Sequence, residues 1–328
     1  MNLSGYQKAV VFLGTFLGLL LTLFCNQAVS AEKDFPKKEV TILVGFQAGG
    51  GRDIIARGLA KTMTKYLGVP VVVVNEPGAG GARALIHAYH AAPDGHTVIV
   101  GGATEILDQI VRKQDYDMKK FAYVGRAQTM AQYYFVKQDS PFKSLKDFKT
   151  FGKPVRHATF SFTAPHTVAA MIIANREGFQ LVPVGGYQGV PGTVMGVIRG
   201  EAEFYGSQMS SSISYVKAGQ IRPIAVLDQK RDPAFPDIPT IGELGHKDLA
   251  ALSLDYWLMA PPETPKPRLQ VLEDALMKTL KDPEFLAWAK GANVEPGFMT
   301  GQDTAKMAQS LFTLFEPYKA EMEKYITK

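Results

Sequence analysis

Three runs of β-branched and apolar residues, separated by loops and helical patterns, constrain the fold of this chain most strongly. The runs are Glu39–Phe46, Pro70–Asn75 and His96–Val100. A helical apolar stripe follows the first run at Asp53–Tyr66, and a second helical pattern follows the second run at Arg83–Ala91. Strand–loop–helix units at this spacing predict a parallel, doubly wound sheet.

The middle of the chain repeats this pattern and indicates a second set of α/β elements. After it, Asp255–Met259 is predicted as a returning strand, and the chain is predicted to be helical from Pro267 onward. The strands predicted in the middle are Tyr133–Lys137, Val155–Phe160, Leu181–Val184, Ala202–Tyr205 and Ile221–Leu227, with helices at Pro165–Arg176 and Val190–Arg199.

The order of these elements predicts an α/β protein with two lobes, each built on a doubly wound sheet. We expect residues 32–134 and 254–328 to form the first lobe, and residues 135–253 to form the second. The two connections, near Tyr133–Lys137 and Asp255–Met259, are expected to cross in parallel and to act as a hinge. The cleft between the lobes is then the natural ligand site.

The first 31 residues have the pattern of a secretory signal peptide. Lys8 is the only charged residue before Glu32, and a short apolar run is followed by small residues up to Ala31. We expect cleavage after Ala31 and export to the periplasm. An uncleaved anchor is the alternative, but the apolar run is shorter than the roughly 20 residues of a spanning helix. A lipoprotein signal at Cys25 is disfavoured by the bulky Phe24 before it.

Composition excludes several classes of function. The single cysteine cannot form a disulfide framework or a multi-thiolate metal site, and we expect neither a metal nor another cofactor. The excess of 36 Lys and Arg over 31 Asp and Glu is small and contains no basic block. We therefore expect no nucleic-acid partner, because that class of binding requires clustered positive charge.

Three loops could contact a ligand. The first is Ala48–Asp53, in which glycines expose backbone N–H groups and the following helix N-terminus favours an anion. Asp53 is placed to cap that helix, and a tight turn without a ligand is the alternative. The second loop, Glu76–Gly81, opens on the same edge of the predicted sheet. The third, Ser161–His166, supplies hydroxyls before a helix, although Thr163 could equally be a helix cap.

No pattern in the sequence indicates a catalytic site, and we expect a protein that is not an enzyme. The hydroxyl-rich segment Ser207–Ser212 lacks the Gly-x-Ser-x-Gly motif of a hydrolase. His87 and His90 are one helical turn apart without a carboxylate at ligand spacing. His166 has no neighbour in sequence that marks it as a base, so a structural role is the more natural interpretation.

Several longer motifs resemble one family, the Bug-type or TctC-like substrate-binding receptors of tripartite tricarboxylate transporters. The resemblance covers the chain beyond the signal peptide, and its combination of glycine loop, Asn-x-Pro-Gly-Ala-Gly-Gly and Pro-Asp-Gly turn is specific. The motifs are VTILVGFQAGGGRDIIARGLAKTMTKYLGVPVVVVNEPGAGG, AAPDGHTVIVGG, TAPHTVAA at 163–170, YQG at 187–189, YVKAGQIRPIAVL at 215–227, RDPAFPDIPTIGELG at 231–245 and YWLMAPPETPK at 256–266.

The resemblance implies a two-lobed flytrap, like other periplasmic binding proteins, that binds a small organic acid. In this family the first glycine loop and its helix N-terminus grip a carboxylate, and residues of the other loops line the pocket. Carried over to this chain, these positions are Phe46, Ala48, Gly49 and Asp53, then Ala79, Gly80, Ala103 and Thr104, and in the second lobe Ser161, Thr163, His166 and Tyr187.

Two positions depart from the family pattern. Arg52 replaces a small hydroxyl residue, and Ser207 aligns where an acidic residue is common. One interpretation is that Arg52 contacts a second acidic group of a dicarboxylate. The other is that Arg52 points to solvent. Phe162 adds an aromatic ring beside Phe46 and Tyr187, so an aromatic acid is also an open alternative.

The function expected from this resemblance is capture of a mono- or dicarboxylate by a monomeric periplasmic protein, which delivers it to the membrane permease subunits. A receptor that presents its ligand to a membrane sensor kinase would have the same cleft. An exported α/β hydrolase that uses the serines at 207–212 is the third hypothesis.

Overall fold

The computed structural model describes residues 35–326 and contains two sheets flanked by helices. The predicted signal peptide lies outside the described residues. The first sheet has six strands in the order β11-β4-β10-β3-β1-β2, and the second has five in the order β7-β6-β8-β5-β9. The predicted α/β class with two sheets is confirmed.

The first three strands are parallel, as the sequence predicts. They are β1 (Val40–Val44), β2 (Val71–Asn75) and β3 (Thr97–Gly101), with β1 between the other two. They alternate with the helices α1 (Gly51–Leu67), α2 (Ala82–His90) and α3 (Ala103–Val111). The apolar stripe of α1 packs on the sheet, and α1 ends at Gly68, whose φ of 72° suits a residue without a Cβ.

The other half of this sheet is antiparallel, so the sheet as a whole is mixed. It consists of β4 (Ala122–Met130), β10 (Leu254–Ala260) and β11 (Pro296–Thr300). The sequence pattern did not predict β4 or β11. The predicted helical C-terminus is interrupted by β11 and comprises α7 (Lys266–Lys281), α8 (Pro283–Gly291), α9 (Gly301–Phe315) and α10 (Lys319–Ile326).

The second sheet has β5 (Gln132–Lys137) and β9 antiparallel to each other, while β6 pairs in parallel with its neighbours β7 and β8. The sheet is therefore mixed as well. The remaining elements are β6 (Val155–Ala158), β7 (Leu181–Val184), β8 (Phe204–Gln208), β9 (Ile221–Leu227), α4 (Pro165–Glu177), α5 (Gly189–Ile198) and α6 (Met209–Lys217).

The chain passes between the sheets twice, and the two crossings run antiparallel. Ala131 alone separates β4 from β5, and the return path leads from β9 to β10, which pairs antiparallel with β4. The predicted parallel crossing is therefore wrong. Tyr133 and Tyr134 lie in β5, within the second sheet, so the lobe boundary that we propose moves from 134 to 131.

The C-terminal segment of the chain packs on β4 and α3 of the first lobe and also contacts the second lobe. The Tyr325 hydroxyl of α10 donates a hydrogen bond to the carbonyl of Leu181 in β7, and Tyr318 accepts one from Arg176 in α4. One continuous apolar core includes Phe312 as well as residues of α4. We propose that the segment 254–328 belongs to the first lobe and that its C-terminal end also contacts the second. Within residues 35–326, no helix combines the length and apolarity needed to span a bilayer.

Candidate functional site

A cavity of about 900 Å³ lies between the two lobes. Its wall combines the ends of first-lobe strands, the starts of second-lobe helices and residues at the crossings. Ten of the residues that the sequence singled out line it: Phe46, Arg52, Ala79, Gly80, Thr104, Ser161, Phe162, Thr163, His166 and Ser207.

Five helices begin at the wall of this cavity. The first N–H groups of a helix lack intrahelical partners, and each N-terminus has a positive partial charge of about 0.5. At α1, α4, α5 and α6 no N-cap side chain accepts a hydrogen bond from these groups. The cavity therefore favours an anion. The lining residues at the helix starts are Gly50 and Gly51 (α1), Thr104 (α3), Ala164 and Pro165 (α4), Gly189 (α5) and Gln208 (α6).

Asp53 organises the first glycine loop and does not line the cavity. Its carboxylate accepts hydrogen bonds from the Gly49 backbone at 2.8 Å, from Asn75 at 2.9 Å and from Arg57 at 2.9 Å. The bond from Arg57, together with those from Gly49 and Asn75, lowers the pKa of Asp53 to about 2. Ala48 and Gly49 are exposed and also lie outside the lining. Of this predicted set, only Phe46 reaches the cavity.

Arg52 lines the cavity but is already paired. Its guanidinium donates to both carboxylate oxygens of Glu105, at 2.6 and 3.1 Å, and the Glu105 side chain is only 1% exposed. The ring centroids of Phe46 and Tyr256 lie 4.7 and 5.5 Å from the guanidinium carbon. The Arg52 side chain therefore does not point to solvent, and both of its terminal nitrogens donate hydrogen bonds to Glu105.

The second and third strand-end loops reach the cavity in part. Ala79 and Gly80 line it, with φ values of 48° and 66° in a short turn before α2. Thr104 lines it as the second residue of α3, whereas its neighbour Ala103 is buried in the core. The predicted pair Ala103–Thr104 is therefore divided between core and cavity.

In the second lobe, hydroxyls and aromatic rings line the wall. The hydroxyls of Ser161 and Thr163 lie 3.2 Å apart, and Phe162 lies beside them. Tyr187 does not line the cavity. Its ring covers Gly196, where a Cβ would lie 2.6 Å from the ring, and its hydroxyl donates to Glu201 at 3.0 Å.

His166 is a buried, neutral residue of the cavity wall. The Gln132 amide nitrogen donates to the Leu252 carbonyl, so its oxygen is left to accept a hydrogen bond from Nδ1 of His166 at 2.8 Å. Burial lowers the pKa of His166 to about 3, so the ring carries no proton on Nε2 at neutral pH. Nε2 is buried and has no partner among the described residues.

Ser207 belongs to a chain of hydroxyls. Its oxygen lies 2.7 Å from that of Ser212, which accepts a hydrogen bond from Tyr205 at 2.8 Å. Within residues 35–326, no histidine or carboxylate bonds to Ser207 or Ser212, so the hydrolase hypothesis lacks a base here. In the same part of the chain, no group of three or more His, Cys, Asp or Glu is arranged to hold a metal ion.

The sequence pattern did not indicate the cavity residues of α3 and of the crossings. Asp108, Arg112 and Gln114 line the cavity from α3 and the segment after it. Burial raises the pKa of Asp108 to about 6, and the nearby Thr163 hydroxyl partly offsets this rise. The helical apolar pattern of Ala103–Val111 was the signal that could have placed Asp108 near the third strand end. The crossings contribute Gln132, Leu254 and Tyr256.

Two α/β lobes that enclose a cavity and are joined by a double crossing define a two-lobed solute-binding protein. The sequence model of one family, described as the tripartite tricarboxylate transporter family receptor, matches residues 55–315. The chain belongs to this family, which confirms the resemblance carried by the motifs. This is a family of solute-binding receptors and not of enzymes.

Known proteins are similar along most of the chain. Protein BugT of Bordetella pertussis is 27% identical over 254 residues, which are 74% of this chain and 76% of BugT. A TctC solute-binding protein from Polaromonas has a TM-score of 0.76 at 19% identity, over 88% of this chain and 99% of that one. MatC from Rhodopseudomonas palustris, solved with bound malate, has a TM-score of 0.65 at 24% identity, over 89% and 100%. At these sequence identities, the two structural matches show a similar fold and nothing further about this chain.

Proposed function

We propose that this protein captures a small organic carboxylate between its lobes and delivers it to the membrane subunits of a tripartite tricarboxylate-type transporter. The observation that carries the proposal is the convergence of five helix starts on one cavity. A carboxylate placed there accepts backbone hydrogen bonds and gains from the helix dipoles, and it does not require the guanidinium of Arg52, which Glu105 holds.

The size and lining of the cavity suit a small solute with an apolar part. Phe46, Phe160 and Phe162 line it beside the hydroxyls of Ser161 and Thr163. Malate in the MatC structure is an example of a small acid bound in this fold. The family description, which names a transporter receptor, supports delivery to membrane subunits.

We propose further that the protein acts in the periplasm as a monomer after removal of residues 1–31. The signal-like pattern of the N-terminus supports export. Two lobes of one chain enclose the cavity, so no second copy is needed to complete it.

The test is thermal unfolding of the mature chain with a panel of small carboxylic acids, each matched by its neutral amide. Binding to the folded state alone at 100 times Kd adds about 2.7 kcal/mol of stability. For a chain of this size we expect a rise in Tm of about 5 °C with a cognate acid and none with its amide.

Ser161→Ala removes one hydroxyl from the cavity wall, and we expect it to weaken acid binding about tenfold. Ser310→Ala is the matched control, because this exposed hydroxyl bonds only within its own helix. Equal rises in Tm with the acid and with its amide, or equal affinities of the two variants for the acid, would contradict binding of a carboxylate at this wall.

A further inference from the structure

Asp108 places a carboxylate without a bound cation on the cavity wall. It lies in the last turn of α3 and is half-buried. It forms no salt bridge within the described part of the chain, because no Lys, Arg or His nitrogen approaches within 4 Å. An ionised group in this position depends on solvent or on a ligand for compensation.

The groups around Asp108 compensate its charge only in part. Glu105, on the same helix, adds a like charge, and Arg52 of α1 is held by Glu105. Arg112, directly after the end of α3, also lines the cavity, but it is exposed and forms no salt bridge with Asp108 within the described residues. The loop before α4 presents the neutral hydroxyl of Thr163. Burial, and to a smaller extent Glu105, raises the pKa of Asp108 to about 6, while Thr163, Arg112 and Arg52 partly offset this rise.

His166 lines the same cavity from the other lobe and has a buried acceptor without a partner in the described part of the chain. Because Nδ1 of His166 donates to Gln132, its Nε2 presents a lone pair that no described residue satisfies. An unpartnered buried acceptor gains free energy from a hydrogen-bond donor. Asp108 therefore favours a solute that brings an N–H group into the cavity, whose helix starts favour a carboxylate.

We propose that the solute is a zwitterion, in which a basic nitrogen accompanies the carboxylate, and that Asp108 is the residue that selects the nitrogen. The inference rests on the proposed function and names its class of solute. A dicarboxylate would bring its second negative charge into a cavity that already contains Asp108. Of the two guanidinium groups that the described residues place on the wall, that of Arg52 is held by Glu105, and that of Arg112 is exposed to solvent, which weakens its attraction. An ammonium or pyridinium group satisfies Asp108 by a charge-assisted hydrogen bond.

The experiment is isothermal titration calorimetry of the mature chain at pH 7 with matched triplets of acids. One triplet is pentanoate, glutarate and 5-aminopentanoate, with shorter and longer homologues. A second triplet is benzoate, terephthalate and 4-(aminomethyl)benzoate. In the triplet that fits the cavity, we expect the zwitterion to bind about tenfold more tightly than either other acid.

Asp108→Asn keeps the shape of the side chain and removes its charge. We expect this variant to lose about tenfold in affinity for the zwitterion and to bind the simple monocarboxylate at least as well as the parent. Asp115→Asn, at an exposed position outside the cavity, is the matched control and should change neither affinity.

Dicarboxylates that bind as tightly as zwitterions, or an Asp108→Asn variant with an unchanged preference, would overturn this inference while leaving the proposed function intact. Failure of every acid in both triplets to bind would contradict the proposed function and this inference together.

Discussion

Replacement of Arg52 by methionine tests whether this residue belongs to the framework of the cleft or to the solute site. The substitution keeps an apolar side chain between the rings of Phe46 and Tyr256 and removes both hydrogen bonds to Glu105. The Glu105 side chain is 1% exposed and keeps, among the described residues, only the Gly102 N–H at 2.8 Å as a partner, so its charge is left without a counterion. Breaking one partner of a buried pair costs about 3–5 kcal/mol, and we expect Arg52→Met to lower the free energy of unfolding by this amount.

The double variant Arg52→Met with Glu105→Gln removes both charges. Since most of the single-variant cost is the unpaired carboxylate, we expect the double variant to recover about 2 kcal/mol or more. The control is Arg199→Met, because the Arg199 side chain is 65% exposed and lies 4.0 Å from Glu201. An exposed pair of this kind contributes about 0–1 kcal/mol.

The assay is urea unfolding of the solute-free mature chain, followed by tryptophan fluorescence and circular dichroism, with coincident transitions as the check on two-state behaviour. Solute must be absent, because binding would add its own stabilisation. A loss below about 1 kcal/mol for Arg52→Met, combined with weaker binding of carboxylates, would refute a framework role and restore Arg52 as a ligand for the solute.

Two further predictions concern residues that the motifs singled out and the structure places outside the cavity. The pKa of Asp53 is about 2 in the folded chain, below its ordinary value of 3.8, so its stabilisation is complete above pH 3.8 and is lost as the pH falls through 2. Asp53→Asn should therefore lower the free energy of unfolding by about 1–2 kcal/mol at pH 7. The difference in urea midpoint between the parent and this variant should narrow toward pH 2, and a difference that stays constant would contradict this role of Asp53. Tyr187→Phe should leave solute affinity within about twofold by calorimetry, since only its bond to Glu201 is lost; a tenfold loss would place Tyr187 in the site.

The strands with uniform apolar runs were predictable, whereas β4, in which Arg126 interrupts the apolar pattern, was not. β1 is a run of valine, isoleucine, leucine and threonine, β2 is a run of four valines that ends at Asn75, and their parallel pairing follows from the helix between them. In β4, Arg126 donates to the Gly297 carbonyl of the segment that pairs with it, so a residue that argues against a buried strand is satisfied by tertiary contacts. Local pattern cannot anticipate such partners.

The candidate site shows the same division between local and long-range information. Helix starts after glycine loops were predictable, because loop chemistry and the parallel strand order place them at one sheet edge. The pairing of Arg52 with Glu105 joins residues 53 positions apart, and it depends on α3, which the pattern did not assign. The same unassigned helix carries Asp108. The sequence pattern therefore missed Glu105, the partner of Arg52, and Asp108 for the same reason.

A crystal structure of the mature protein with its solute bound tests the central claim most directly. The account predicts density between the lobes, with a carboxylate at hydrogen-bond distance from backbone N–H groups at the starts of α1 and α4, near Gly51 and His166. A solute bound outside this cavity, or one whose carboxylate points away from the helix starts, would contradict it.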